Sequence, residues 1–99
     1  PPEIVAAEAQ QTESGWRFDV TVSHGDTGWD DYADGWEIRT VDGEVLGERP
    51  LAHPHVNEQP FTRSLTGVRI GETIDMVEIF VRDNVSGWSE TPFLLELSR

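Results

Sequence analysis

Three histidines and a set of aspartates are the residues of this chain best suited to chemistry. His53-Pro54-His55 is the sharpest local feature. In an extended segment, positions i and i+2 share one face, and a proline biases the residue before it toward extended backbone. Two imidazoles so placed could bind Zn²⁺ or Cu²⁺, with His24 as a third ligand and a carboxylate or water completing the shell. The stretch Asp26-Thr-Gly-Trp-Asp-Asp-Tyr-Ala-Asp34 offers a second chemistry. Hard cations such as Ca²⁺ want several oxygens at once, and Asp26, Asp30 and Asp31 lie close enough in sequence to supply them. The stretch lacks the alternating spacing of a helix-flanked calcium loop. The competing reading has the aspartates capping backbone amides in a turn-rich loop, and the histidines ordering a proline-bracketed one.

The elements that must position these residues are strands. Trp16, Phe18, Val20 and Val22 alternate with Arg17, Asp19, Thr21 and Ser23, the period of a half-buried strand. His24 continues the inward parity of that run. Trp36, Ile38 and Thr40 oppose Glu37 and Arg39 in the same way, and Asp42-Gly43 then signals a hairpin into Glu44–Gly47. Phe61, Arg63 and Leu65 mark a further strand, followed by a corner at Gly67-Val68 and Ile70-Gly71. Val77, Ile79 and Val81 mark the next, and Phe93, Leu95 and Leu97 the last. Ile4–Ala9 is expected as a first, edge strand, with a turn at Gly15. Seven short strands divided by turn signals predict one all-β, antiparallel sandwich over residues 1–99.

The run from Phe61 to Thr73, with its Gly67 and Gly71 corner, and the run from Val77 through Asp83-Asn-Val-Ser-Gly-Trp-Ser89 to Pro92 resemble the second half of a fibronectin type III domain. Asp75 or Met76 stands where that family carries its corner tyrosine, so an immunoglobulin-like relative fits almost as well. The resemblance implies a seven-stranded immunoglobulin-like or fibronectin type III-like sandwich and says nothing of activity. It also implies that the connections at about residues 25–35, 50–60 and 83–91 emerge at one end. His24, His53, His55, Asp26, Asp30, Asp31, Asp34, Glu58 and Asp83 all fall at or in them, with Trp29, Tyr32 and Trp88. Trp16 and Trp36 suit the core, whereas Trp29 and Trp88 sit among Gly and Asp, where they suit an aromatic platform or a lid over the sandwich end.

Composition narrows the partners. The net charge is −12, from nineteen acidic residues against seven arginines and no lysine. Nucleic acid and anionic membranes require a basic patch and are poor partners. No apolar run is long enough to span a bilayer. Without cysteine there is no disulfide, thiolate ligand or cysteine nucleophile. No nucleophile elbow, phosphate loop or zinc-protease motif occurs, so no enzyme is expected. The expectation is a non-catalytic binding module, periplasmic or secreted and monomeric, that meets a protein or small ligand with one loop end. The alternative is an exported metal-binding protein.

Overall fold

A computed structural model describes residues 2–99. Its strands are β1 (Glu3–Thr12), β2 (Gly15–Ser23), β3 (Ala33–Arg39), β4 (Val45–Pro50), β5 (Phe61–Val68), β6 (Met76–Asp83), β7 (Gly87–Trp88) and β8 (Phe93–Glu96). All pairings are antiparallel. One sheet has the order β1-β2-β5; the other runs β4-β3-β6-β7, with β8 also paired to β6. Among the described residues there is no helix, and so none long and apolar enough to cross a membrane.

The alternation read from the sequence is the packing of the core. Trp16, Phe18, Val20 and Val22 of β2 meet Trp36 and Ile38 of β3 and Val77, Ile79 and Val81 of β6, all buried. Ala33, Phe61, Val68 and Leu51 complete the cluster. The Asp42-Gly43 hairpin forms as expected. Thr40 accepts from Gly43 N through its carbonyl and from Glu44 N through its hydroxyl, and Gly43 takes a φ of 94°.

Three details differ from expectation. First, β1 is longer than Ile4–Ala9, pairing with β2 as far as Thr12 opposite Gly15, and a bulge between Ile4 and Ala6 shifts its register. That shift puts Ile4, Ala7 and Ala9 against the core and hides the strand's period from the sequence. Second, eight strand segments replace seven. The last expected strand forms as β8, paired with Met76–Ile79, and a short additional strand, β7, forms within the expected connection and pairs with Arg82 and Asp83. Between β7 and β8, Ser89 N donates to Val81 O and Ser89 Oγ accepts from Val81 N, and Pro92, which has no N–H, precedes the return to regular pairing. The connection after β6 is therefore only Asn84–Ser86. Third, the corner that lacks a tyrosine is tied by another residue. Arg99 Nη2 donates to Gly71 O and Ile74 O, and its guanidinium lies 5.5 Å from the Trp16 ring.

Gly15, at the β1–β2 turn, is constrained twice over. Its φ is 122°, and a Cβ there would stand 2.9 Å from Val68 O and 3.0 Å from Gly67 C. Gly15→Ala should cost about 1–3 kcal/mol in urea unfolding. Gly71→Ala, where a Cβ meets nothing within 4 Å, should change stability by under about 0.5 kcal/mol. Equal losses at the two positions would refute the close approach.

Candidate functional site

The inward stripe of β2 does not stop where the apolar residues stop. Burial continues on the same parity through His24 and Asp26, beyond the strand's last residue, Ser23. The stripe of β6, Val77-Ile79-Val81, likewise ends on Asp83, which is 1% exposed. These two strands belong to opposite sheets and carry their stripes to the same end of the core. There, apolar side chains give way to polar ones that face each other.

Asp26 organises this end. Its Oδ1 accepts from His24 Nδ1 at 2.6 Å and from Ala33 N at 3.1 Å, and its Oδ2 accepts from His55 N at 2.8 Å. The donors come from the end of β2, the start of β3 and the β4–β5 connection. A carboxylate with no solvent-exposed side chain needs such donors, because burial without them is strongly unfavourable. Gln59 adds a second tie, accepting from His24 N at 3.0 Å and donating to His55 O at 2.9 Å. Asn84 joins the remaining connection. It accepts from Tyr32 N and donates to Trp29 O, each at 2.9 Å. The three connections therefore do meet at one end.

On its other side, His24 Nε2 lies 3.2 Å from Asp83 Oδ2 and 3.5 Å from Asp31 Oδ1. Asp83 is held by its own turn, Oδ1 accepting from Val85 N at 2.9 Å and from Ser86 N. Burial pushes the Asp83 carboxyl up, but the Ser86 and Val85 amides and the nearby His24 outweigh it and hold the pKa below its ordinary value. Asp31 is fixed by a small bridge, with Asp31 N donating to Gly28 O and Thr27 N to Asp31 O.

The histidines do not form the expected set of three. His53 and His55 lie outside any strand, although their rings are 4.6 Å apart. His55 is buried, stacks on Phe61 at 3.9 Å, and takes Arg63 Nη2 at 2.9 Å on its Nε2. A guanidinium thus occupies the lone pair that a metal would need. Glu58 accepts from the same Arg63 nitrogen at 3.0 Å. Burial, followed by the charges of Arg63 and His53, lowers the His55 pKa. His53 is exposed, its Nδ1 lying 3.2 Å from Pro54 O. Asp26, Asp30 and Asp31 do not converge as a calcium loop either. Asp26 is consumed by its three donors, Asp30 is exposed, and Asp31 turns to His24. Among the described residues, the one group of three ligand atoms within 4.8 Å of one another is His24, Asp31 and Asp83.

The two loop tryptophans also part company. Trp29 is 65% exposed and meets Tyr32 edge-on, with centroids 5.5 Å apart. Trp88 lies on the outer face of the five-stranded sheet, its ring within 5.1 Å of the Arg39 guanidinium and 5.4 Å of Arg82. Arg39 also covers Phe80 at 3.9 Å, and Arg82 pairs with Asp34 at 2.9 Å. Trp29 and Trp88 are thus held differently, because Trp88 is engaged by Arg39, distant in sequence, and by Arg82, its partner across β6–β7. Sequence reasoning missed Gln59 and Asn84, and gave Asp83 to the partner surface instead of to His24. The inward parity of positions 24, 26 and 83 was the signal available for the latter.

No family model matches the chain, and no solved structure matches it. A protein of Halomicrobium mukohataei named "Putative lipoprotein" is 41% identical over 71 residues. The match covers 72% of this chain and 34% of that protein, so the chain spans about a third of the length of the curated relative it matches.

Two outcomes test this site. Asp26→Ala leaves three buried donors without their acceptor and should cost on the order of 3–5 kcal/mol, whereas Asp30→Ala should stay within about 0.5 kcal/mol, both by urea unfolding. For His55, the unfolded ring protonates near the ordinary value of about 6.5 while the folded ring resists protonation. Its contribution to stability is complete above that pH and is lost as pH falls through the folded value. The melting temperature in chelator should fall from pH 7.5 to 5.5, and less so in His55→Gln. Parallel pH curves for the two proteins would contradict the assignment.

Proposed function

We propose that this chain is a non-catalytic interaction domain of an exported protein, and that it meets a protein or small ligand with the loop end carrying Trp29. The observation that carries the reading is Trp29 itself. A tryptophan 65% exposed is held edge-on to Tyr32, with its carbonyl fixed by Asn84. An aromatic ring fixed in place and left in water offers large contact area at little cost in conformational entropy, the property of binding hot spots. The rigid sheets below it suit a loop-borne binding surface.

The fold and its relative support the same reading. The sheet orders β1-β2-β5 and β4-β3-β6-β7/β8 correspond to the A-B-E and C′-C-F-G sheets of an immunoglobulin-like or fibronectin type III-like sandwich, with strand G interrupted. Likeness to part of a protein named a lipoprotein supports export, in the periplasm or outside the cell. A charge of −12 disfavours nucleic acid and anionic lipid surfaces, and its self-repulsion favours a monomer. Partners with basic or neutral polar surfaces fit best.

Trp29→Ala is the test. Because the ring is exposed, the variant should melt within about 1 kcal/mol of the wild type. As an immobilised bait in solubilised cell envelope, the wild type should retain a partner that the variant does not. Equal capture by both proteins, or a large loss of stability in the variant, would overturn the reading.

A further inference from the structure

The polar end of the core contains an arrangement that the interaction surface does not use. His24 Nε2, Asp83 Oδ2 and Asp31 Oδ1 converge on one point. His24 is 9% exposed and Asp83 1%, so two of the three form a buried floor. The Asp31 side chain is 42% exposed and leaves the third side open to water. Each group is oriented from behind. Asp26 Oδ1 accepts from His24 Nδ1, the Val85 and Ser86 amides donate to Asp83 Oδ1, and the Gly28–Asp31 bridge sets the Asp31 backbone.

With Nδ1 hydrogen-bonded to Asp26, the His24 ring aims Nε2 at two carboxylate oxygens. One imidazole nitrogen and two carboxylate oxygens facing a common point are a donor set suited to a divalent cation. We propose that His24, Asp31 and Asp83 are the protein ligands of one divalent first-row transition ion such as Zn²⁺ or Mn²⁺, with water completing the shell on the Asp31 side.

Two independent features favour a metal. Bonds of about 2.0–2.2 Å at tetrahedral or octahedral angles separate neighbouring ligand atoms by roughly 2.8–3.6 Å. The separations of 3.2 and 3.5 Å from Nε2 fall in that range, and the two carboxylate oxygens lie within 4.8 Å of each other. The buried Asp26–His24 hydrogen bond is the second feature. A metal-bound imidazole usually donates its other N–H to a carboxylate, which fixes the tautomer and the ring plane. The imidazole in the set favours a borderline ion over Ca²⁺, which prefers oxygen alone. Two carboxylates and a neutral imidazole also match a doubly charged ion in charge.

The test compares chelator-stripped wild type, Asp31→Asn and His53→Ala at pH 7.5, with Zn²⁺, Mn²⁺ or Ca²⁺ added. Asp31→Asn is chosen because that side chain is partly exposed and its loss spares the buried floor. Wild type should hold one Zn²⁺ or Mn²⁺ per chain in equilibrium dialysis. Its melting temperature should rise by on the order of 10 °C at a hundredfold excess over the dissociation constant. Both effects should disappear in Asp31→Asn, with an unchanged far-ultraviolet circular dichroism spectrum confirming its fold, and both should persist in His53→Ala. Absence of binding to the wild type would overturn the proposal. Binding of Ca²⁺ alone, survival of binding in Asp31→Asn, or its loss in His53→Ala would overturn it equally.

Discussion

A carboxylate taken out of water must be given donors, and at one end of this protein that requirement organises everything else. Asp26 has no exposed side-chain surface. Its two oxygens reach three donors on three segments far apart in sequence, at His24, Ala33 and His55. No apolar packing could specify those connections so closely, because hydrophobic burial is non-directional. A hydrogen bond to a buried charge is directional, and its loss leaves both partners unsatisfied. The loop end is therefore ordered by polar satisfaction, while the rest of the sandwich is ordered by shape and area.

The switch between those regimes occurs within single strands. In β2 the inward positions run Trp16, Phe18, Val20 and Val22, and the parity continues just beyond the strand to His24 and Asp26. In β6 they run Val77, Ile79, Val81, then Asp83. The same pleat that aims valine into the core aims histidine and aspartate at its end. Because the two strands lie in opposite sheets, His24 and Asp83 meet across the sandwich as the last valines do. Their contact is a polar continuation of the core, and it ties the two sheets together where the β2–β3 and β6–β7 connections leave them.

This explains what the sequence discloses and what it withholds. The alternation around Trp16–Val22, Trp36–Ile38 and Val77–Val81 needs only period two, so the strands, the core and the Asp42-Gly43 turn were legible. The bulge after Ile4 and the break at Ser89 were not, since each inserts residues that defeat a strict period. The fates of the histidines depended on contacts that no period or short motif marks. His53 and His55 look like a ligand pair until Arg63, eight residues beyond His55, donates to its ring. Trp88 looks like a loop aromatic until Arg39 and Arg82 approach it. Parity, by contrast, is local, and it marked His24, Asp26 and Asp83 as inward-facing before any partner was known.

The distribution of charge gives the polar end its chemical character. The chain has seven arginines for nineteen acids, and Arg63 and Arg82, which reach side chains at this end, are already engaged. Arg63 serves His55 and Glu58, and Arg82 serves Asp34 and the Trp88 ring. Asp26, Asp31 and Asp83 therefore share one imidazole between them, and Asp26 answers to it from the side opposite the other two. The backbone amides of Ala33, His55, Val85 and Ser86 carry part of the load for Asp26 and Asp83, while water can reach Asp31. Between Nε2 and the facing Asp83 and Asp31 oxygens, no arginine pairs among the described residues. In a protein so short of basic side chains, an ion from solution is the positive charge that the proposed site would add there.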